Sequence, residues 1–122
     1  MSAWWARDDL GYQDGRLILA GHDVAALAGE VEGPLFLYSG ARVRANLLRL
    51  RDALAPVGPS RLYFAMKANR FEPLLRAMAG WGLCGIDACS PDEVDRAVAC
   101  GFAPGNISFT GTGLSNRDLD RL

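Results

Sequence analysis

The sequence predicts an α/β fold built on parallel strands. Three short apolar runs, at residues 62–66, 84–88 and 107–110, are each followed over a short connection by a segment typical of a helix. Antiparallel strands can be joined by tight hairpins, whereas parallel strands need crossover helices of this kind. Such sheets occur in open doubly wound folds and in closed eight-stranded barrels. Both architectures place ligand chemistry at the carboxyl ends of the strands.

The region before these runs is punctuated by glycines and is predicted to be mostly irregular. Within residues 1–33, residues 16–20 suit a short strand and residues 24–28 a short helix. A glycine and a proline then precede the apolar run at residues 35–38, which is predicted to be a buried strand.

Helix signals mark the segments between and after the strands. Ser39 is expected to cap a helix that ends near Leu54, with apolar residues at spacings of four, three and four. A second helix is expected at about residues 73–79. The third begins at residues 90–93 (SPDE), where serine, proline and glutamate form a predicted capping box, and Ser115 begins another.

The composition limits the classes of partner. Of 122 residues 50% are hydrophobic, and 13 Lys plus Arg nearly balance 14 Asp plus Glu. We therefore expect no nucleic acid and no membrane surface as partner. No apolar run reaches a membrane-spanning length, and acids occupy the N-terminal region where a signal peptide is apolar, so a cytoplasmic location is expected.

The cysteine and histidine content argues against a disulfide or metal scaffold. The three cysteines are an odd number without a C-x-x-C pair, and His22 is the single histidine. Neither a disulfide framework nor a metal site is predicted.

Polar residues stand at the ends of the predicted strands. A strand that delivers Lys67 to a sheet edge can desolvate its amine, which lowers the pKa and frees the neutral amine to bond an aldehyde; a lysine extending into solvent is the alternative. Asp87 is expected nearby, where it could pair with Lys67, hold another polar group or form a simple structural ion pair.

Residues 110–113 (TGTG) lack the third glycine of a dinucleotide fingerprint, so a tight turn is favoured. Glu93 is explained by its capping position.

Four motifs and a short leader stand in order along the sequence. The leader is DGRL at residues 14–17, and the motifs are GPLFLY at residues 33–38, YFAMKAN at 63–69, GIDACSPDE at 85–93 and ISFTG at 107–111. In register from about residue 14 to the end of the sequence, they resemble the pyridoxal-phosphate-dependent amino-acid decarboxylases of the alanine-racemase-like barrel fold (fold type III), with diaminopimelate decarboxylases the most similar group. The four motifs are similar to the family patterns G-T-P-L-Y-V-Y, Y-A-x-K-A-N, G-x-D-x-x-S-x-x-E and I-x-F-T-G, respectively.

The resemblance implies a fold and a set of site residues. Residues 34–122 would be an incomplete pyridoxal-phosphate-binding domain, namely the first three strand–helix units of a (β/α)8 barrel. Residues 1–33 would be an N-terminal segment that joins a separate β domain. The resemblance assigns Lys67 the internal imine with pyridoxal 5′-phosphate, Asp87 a place beside cofactor and lysine, and Glu93 a place near the same pocket.

The implied function is decarboxylation of a small-molecule amino acid. Diaminopimelate, ornithine, arginine and an amino acid of a specialised pathway all remain open as substrates. Residues 70–73 (RFEP) follow the lysine motif where racemases of this fold have Y-G-H-G, which favours a decarboxylase. A racemase on the same fold and a non-catalytic cofactor-binding or interaction protein are the alternatives.

The resemblance also bears on assembly. It implies a homodimer, or a second chain that completes the barrel. The 122 residues alone are expected to be inactive, because no later glycine-rich phosphate site or partner for the pyridine nitrogen is found in them.

Overall fold

A computed structural model describes residues 4–122 and groups the chain into two compact units. The first ends at Val43, and the second runs from Arg44 to Leu122. The predicted domain boundary at residue 33 stays a prediction. In the described part of the chain, no helix is long and apolar enough to cross a bilayer.

The first unit contains a small antiparallel sheet in the order β1-β2-β3, followed by a helix. Its elements are β1 (Leu10–Gln13), β2 (Arg16–Leu19), β3 (His22–Asp23) and α1 (Val24–Gly29). Asp23 caps α1, because its carboxylate accepts hydrogen bonds from the backbone N–H groups of Ala25 at 2.9 Å and Ala26 at 3.3 Å. The predicted strand at residues 16–20 and helix at residues 24–28 are thus confirmed.

One ion pair links the two ends of the first unit in sequence. Nε of Arg42 donates to Oδ2 of Asp9 at 3.0 Å, and Nη2 donates to Oδ1. This bidentate hydrogen bonding holds the pKa of Asp9 at about 2.

The apolar run at residues 35–38 does not form the predicted strand. No strand is assigned there within the described residues, and the side chains of Phe36 and Tyr38 are 77% and 47% exposed. A strand is stable only with a neighbour to pair with, and the sheet of this unit is made of β1, β2 and β3. The helix α2 (Gly40–Leu54) follows as predicted, and Oγ of Ser39 accepts from the N–H of Arg42 at 3.1 Å.

The second unit is built on three parallel strands in the order β4-β5-β6, each followed by a helix. The strands are β4 (Tyr63–Ala65), β5 (Gly85–Ala88) and β6 (Ile107–Phe109), and the helices are α3 (Glu72–Trp81), α4 (Pro91–Ala99) and α5 (Asn116–Leu119). Three strand–helix units in this order were predicted, and all are present.

The two faces of the parallel sheet differ in character. Ile86 pairs in register with Phe64 and Ile107, and it is fully buried. Asp87 points to the opposite face, in register with Ala65 and Ser108.

Helix side chains complete the core on the Ile86 side. The core includes Met66, Leu75, Met78, Ile86, Ala88 and Ala97, all fully buried. Val98 of α4 is 48% exposed, because the buried face of α4 runs through Pro91, Glu93 and Ala97.

Gly85 is required by close packing at the start of β5. A Cβ at this position would lie 2.3 Å from the carbonyl oxygen of Asn106 and 2.8 Å from the ring of Tyr63. Glycine therefore allows the backbone before β6 and an aromatic side chain of β4 to approach the middle strand.

Candidate active site at the carboxyl edge of the parallel sheet

Lys67 lies directly beyond β4, at the carboxyl edge of the sheet. The chain leaves the strand at Ala65 and enters a single 3₁₀ turn, Met66–Ala68. Met66 is fully buried and anchors the turn, whereas Lys67 is exposed. Among the described residues the amine of Lys67 has no hydrogen-bond or ion-pair partner, so it is available to a ligand at this edge.

The turn continues toward α3 through Asn69 and Arg70. The backbone N–H of Asn69 donates to the carbonyl oxygen of Met66 at 3.1 Å. Oδ1 of Asn69 accepts from the N–H of Phe71 at 2.9 Å, which closes a local turn before α3. The segment from Met66 to Phe71 is called the lysine turn below.

Asp87 stands at the same edge, on the strand next to Lys67. Its register partner on β4 is Ala65, two residues before the lysine. The hydroxyl of Thr110 lies 3.1 Å and 3.2 Å from the two carboxylate oxygens of Asp87 and donates to them. Of the roles considered for Asp87, holding a nearby polar group is therefore the one observed, and no ion pair with Lys67 forms among the described residues.

Cys89 extends this arrangement beyond β5. Its Sγ lies 3.7 Å from Oγ1 of Thr110. Because the Thr110 proton is donated to Asp87, the thiol is the donor to the threonine oxygen. A hydrogen-bonded row from Cys89 through Thr110 to Asp87 thus spans the ends of β5 and β6.

Gly111 is constrained by space at the end of β6. A Cβ there would lie 2.5 Å from the ring of Phe109 and 2.7 Å from the carbonyl oxygen of Cys89. The close approach accounts for this glycine of the TGTG segment without a bound phosphate.

Glu93 is buried beneath the edge that carries Lys67 and Asp87. It is 2% exposed, and its Oε1 accepts from Nη2 of Arg70 at 2.6 Å. Its Oε2 accepts from the backbone N–H of Cys89 at 2.8 Å. The predicted capping box is therefore only half formed, since Oγ of Ser90 accepts from the N–H of Glu93 at 3.3 Å but the glutamate bonds Cys89 rather than Ser90.

A cavity of the second unit lies at the opposite edge of the sheet. It has a volume of about 340 Å³ and is lined at the amino ends of the strands by residues that include Arg61, Tyr63, Cys84 and Asn106. Burial raises the pKa of the Cys84 thiol, which leaves it a weak nucleophile at neutral pH. Neither Lys67 nor Asp87 reaches this cavity.

The sequence predicts that Lys67 and Asp87 lie at one edge of the sheet, and the structure places both at its carboxyl edge. Sequence reasoning did not foresee that Arg70 would pair with Glu93, or that Thr110 would bond Asp87. A local signal existed for Thr110, because it is a polar residue at the end of the third apolar run and Asp87 is a polar residue one position before the end of the second. No local signal pointed to Arg70, because its partner lies 23 residues away.

Fold and site together define an α/β protein with an available lysine at the carboxyl edge of a parallel sheet, which suits a carbonyl-bearing cofactor. A family model described as "Pyridoxal-dependent decarboxylase, pyridoxal binding domain" matches residues 41–122. The chain belongs to this family, and the predicted cofactor, pyridoxal phosphate, is confirmed at the level of the family.

Two curated relatives are diaminopimelate decarboxylases. The one from Pseudomonas aeruginosa is 32% identical over 114 residues, covering 93% of this chain and 27% of the relative. The one from Methanothermobacter thermautotrophicus is 34% identical over 106 residues, covering 86% and 24%. This chain thus spans about a quarter of the length of the curated relatives it matches.

A solved structure gives the same result for the fold. The crystal structure of diaminopimelate decarboxylase from M. jannaschii in co-complex with L-lysine matches with a TM-score of 0.83 and 26% identity. The match covers 92% of this chain and 27% of that one. The predicted fold class, the N-terminal strand–helix units of the family's barrel, is confirmed.

Proposed function

We propose that this chain forms part of a pyridoxal-phosphate-dependent amino-acid decarboxylase that acts on diaminopimelate. The observation that carries the proposal is the position of Lys67. It is the single lysine among the 122 residues, and it follows β4 at the carboxyl edge of the sheet. The diaminopimelate decarboxylases named above support the substrate.

The residues at this edge fit the cofactor by their chemistry. Covalent attachment needs an uncharged primary amine, and the amine of Lys67 is the only side-chain amine of the chain and is not engaged by a carboxylate among the described residues. The carboxylate of Asp87 faces the same side of the sheet and is held in one orientation by Thr110. When bound, pyridoxal phosphate supplies an electron sink for the pair left behind as carbon dioxide departs.

Each residue then has a separate task. Lys67 would hold the cofactor covalently at Nζ, and its free amine would be available to carry a proton. Asp87 would orient the polar groups at this edge, because Thr110 holds its carboxylate on the side of the sheet where Lys67 follows β4. Glu93, assigned to the pocket by resemblance, lies beneath the edge with both oxygens engaged, and we propose a supporting role for it.

Borohydride reduction of the intact protein with its cofactor, followed by peptide mapping, tests the assignment. The label is expected on the peptide that contains Lys67, and the match is unambiguous within residues 1–122 because no other lysine is present. Lys67→Arg keeps the positive charge but cannot form the bond, and it should lose both label and carbon dioxide release. Label on a lysine outside this chain segment, with full activity of Lys67→Arg, would contradict the proposal.

Release of carbon dioxide separates a decarboxylase from the alternative racemase. Diaminopimelate should yield carbon dioxide and lysine in equal amounts, whereas a racemase would only invert the α-carbon. Cofactor absorbance without turnover of diaminopimelate would instead support the non-catalytic alternative.

Location and assembly form the last part of the proposal. A cytoplasmic setting is supported by the three cysteines, all of which are free thiols among the described residues. A homodimer is supported by the family resemblance alone. Light scattering of the intact protein measures its mass and decides between one copy and two.

A further inference from the structure

The lysine turn is tied to the neighbouring strand–helix unit by one buried carboxylate. Arg70 lies three residues after Lys67, and its Nη2 donates to Oε1 of Glu93 at 2.6 Å. The other oxygen of Glu93 accepts from the N–H of Cys89 at 2.8 Å. Cys89 is two residues beyond Asp87, so Glu93 bridges the segment that carries the lysine and the end of the strand that carries the aspartate.

The exposure of the two partners indicates what this bridge contributes. The side chain of Glu93 is 3% exposed, whereas that of Arg70 is 60% exposed. Burying a carboxylate is costly, and an apolar side chain in its place is often neutral or stabilising, so stability alone does not explain this glutamate. A carboxylate with both oxygens engaged does, however, fix the distance between the two groups that it binds.

In the part of the chain that the structure describes, Met66 and Asn69 of the lysine turn make no side-chain hydrogen bond to β5. Met66 packs in the core, and Asn69 bonds the backbone of Phe71 within the turn itself. Both hold the shape of the turn. Arg70 is the residue of the turn whose side chain reaches across to Glu93 and thereby to the end of β5.

We propose that Arg70 is a positioning residue: through Glu93 it sets the placement of Lys67 relative to Asp87. This inference rests on the proposed function, in which Lys67 carries the cofactor. A displacement of a reacting group by about 1 Å can lower a rate by about 100-fold, so a residue that touches no substrate can still control turnover.

The test uses the intact enzyme with its cofactor and diaminopimelate, in three variants and one control. Arg70→Met removes the charge but keeps the length, Arg70→Lys restores the charge, and Glu93→Gln keeps the shape of the partner. Arg76→Met is the matched control, because it breaks a similar arginine–glutamate pair, Arg76 to Glu72, that is exposed on α3.

We expect Arg70→Met to lower kcat by about 10- to 100-fold with KM changed by less than about threefold. It should also shift the midpoint of the pH titration of the cofactor absorbance, since the amine of Lys67 no longer sits at the same distance from Asp87. Arg70→Lys should recover part of the rate. Arg76→Met should stay within about twofold of wild type, as expected for an exposed pair.

A double-mutant cycle decides whether Arg70 acts through Glu93. If it does, Arg70→Met combined with Glu93→Gln should lower kcat no further than the more severe single variant. Additive effects, or an Arg70→Met enzyme with wild-type kcat and an unshifted titration, would overturn the inference. Because Arg70 is largely exposed, its variants are expected to fold even if Glu93→Gln does not, and the thermal midpoint of each variant verifies this.

The two proposals fail in distinguishable ways. If borohydride labelling of the wild-type enzyme misses Lys67, the proposed function is wrong and the inference about Arg70 falls with it. If Lys67 is labelled but Arg70→Met behaves like Arg76→Met, the function stands and only the positioning role is lost.

Discussion

Two helices of the parallel unit begin with the same local pattern but use it differently. α4 is preceded by Ser90 and has Glu93 three residues on, and α5 is preceded by Ser115 and has Asp118 three residues on. Oδ2 of Asp118 accepts from the N–H of Ser115 at 2.9 Å, so this capping box closes on itself. The carboxylate of Glu93 instead accepts hydrogen bonds from the N–H of Cys89 and from Nη2 of Arg70.

The difference between the two helix starts follows from side-chain length and burial. The extra methylene of glutamate carries its carboxylate past its own cap, and the site around it is buried, whereas Asp118 lies nearer solvent. A buried carboxylate must find several donors, and these come from the neighbouring strand end and the lysine turn. The same pattern thus stabilises one helix locally and joins three segments at the other.

The largest effect that would separate the two helix starts is on stability. Glu93→Ala removes the acceptor of the Cys89 N–H and the ion-pair partner of Arg70, and it leaves a void. We therefore expect the free energy of unfolding of the intact protein to fall by about 2–3 kcal/mol. Asp118→Ala removes a half-buried acid near solvent and should lower the free energy of unfolding clearly less. Thermal midpoints of both variants, measured side by side, test this, and equal losses would show that burial does not distinguish the two boxes.

The effect of intermediate size concerns Thr110, which lies between β6 and α5 and donates a hydrogen bond to Asp87. If Thr110 orients Asp87, Thr110→Val should cost about 1 kcal/mol of transition-state stabilisation, or about a fivefold drop in kcat/KM for diaminopimelate. Thr112→Val, two residues on in the same exposed connection, is the control and should leave kcat/KM unchanged. If the two variants are equally active, the hydroxyl at position 110 has no part in catalysis.

The smallest effect is a pH dependence at α5. Hydrogen bonds from the hydroxyl and N–H of Ser115 lower the pKa of Asp118 below its ordinary value of 3.8. The ionised form is favoured in the folded state, so its contribution is fully present above about pH 3.8 and is lost as the pH falls further. The difference in thermal midpoint between wild type and Asp118→Asn should therefore be constant near pH 6 and shrink below pH 4.

The Ser115→Ala background provides the control for this titration. Without the serine hydroxyl, the difference in thermal midpoint that Asp118→Asn causes should depend less on pH. A difference that grows as the pH falls would reverse the sign and contradict the assigned cause.

Sequence reasoning recovered most of the parallel unit because its signals are local. The three apolar runs at residues 62–66, 84–88 and 107–110 each became the strand of a strand–helix unit. Lys67 and Asp87 lie at the expected edge because the carboxyl ends of neighbouring parallel strands lie together. Where a prediction depended on a distant partner it was less successful. The run at residues 35–38 needed a neighbouring strand, and Glu93 found partners that its capping pattern does not encode.

The hairpin of the first unit was missed although its signal was present. Asp14 and Gly15 both have positive φ, at 48° and 77°, and they connect β1 to β2. Asp-Gly between two short runs is typical of a two-residue hairpin turn. The flanking strands are only four residues each, which is too short for alternation to stand out.

The packing at Gly85 determines which positions of this sheet tolerate substitution. A side chain there would meet both a flexible neighbour, the ring of Tyr63, and a rigid one, the carbonyl of Asn106. A smaller residue at position 63 would remove only the clash with the ring, and the clash with the carbonyl of Asn106 would remain. Position 85 therefore requires glycine whatever residue occupies position 63, whereas position 63 tolerates substitution as long as position 85 is glycine. Among related sequences, variation on this face of the sheet should therefore accumulate on β4 and spare the first residue of β5.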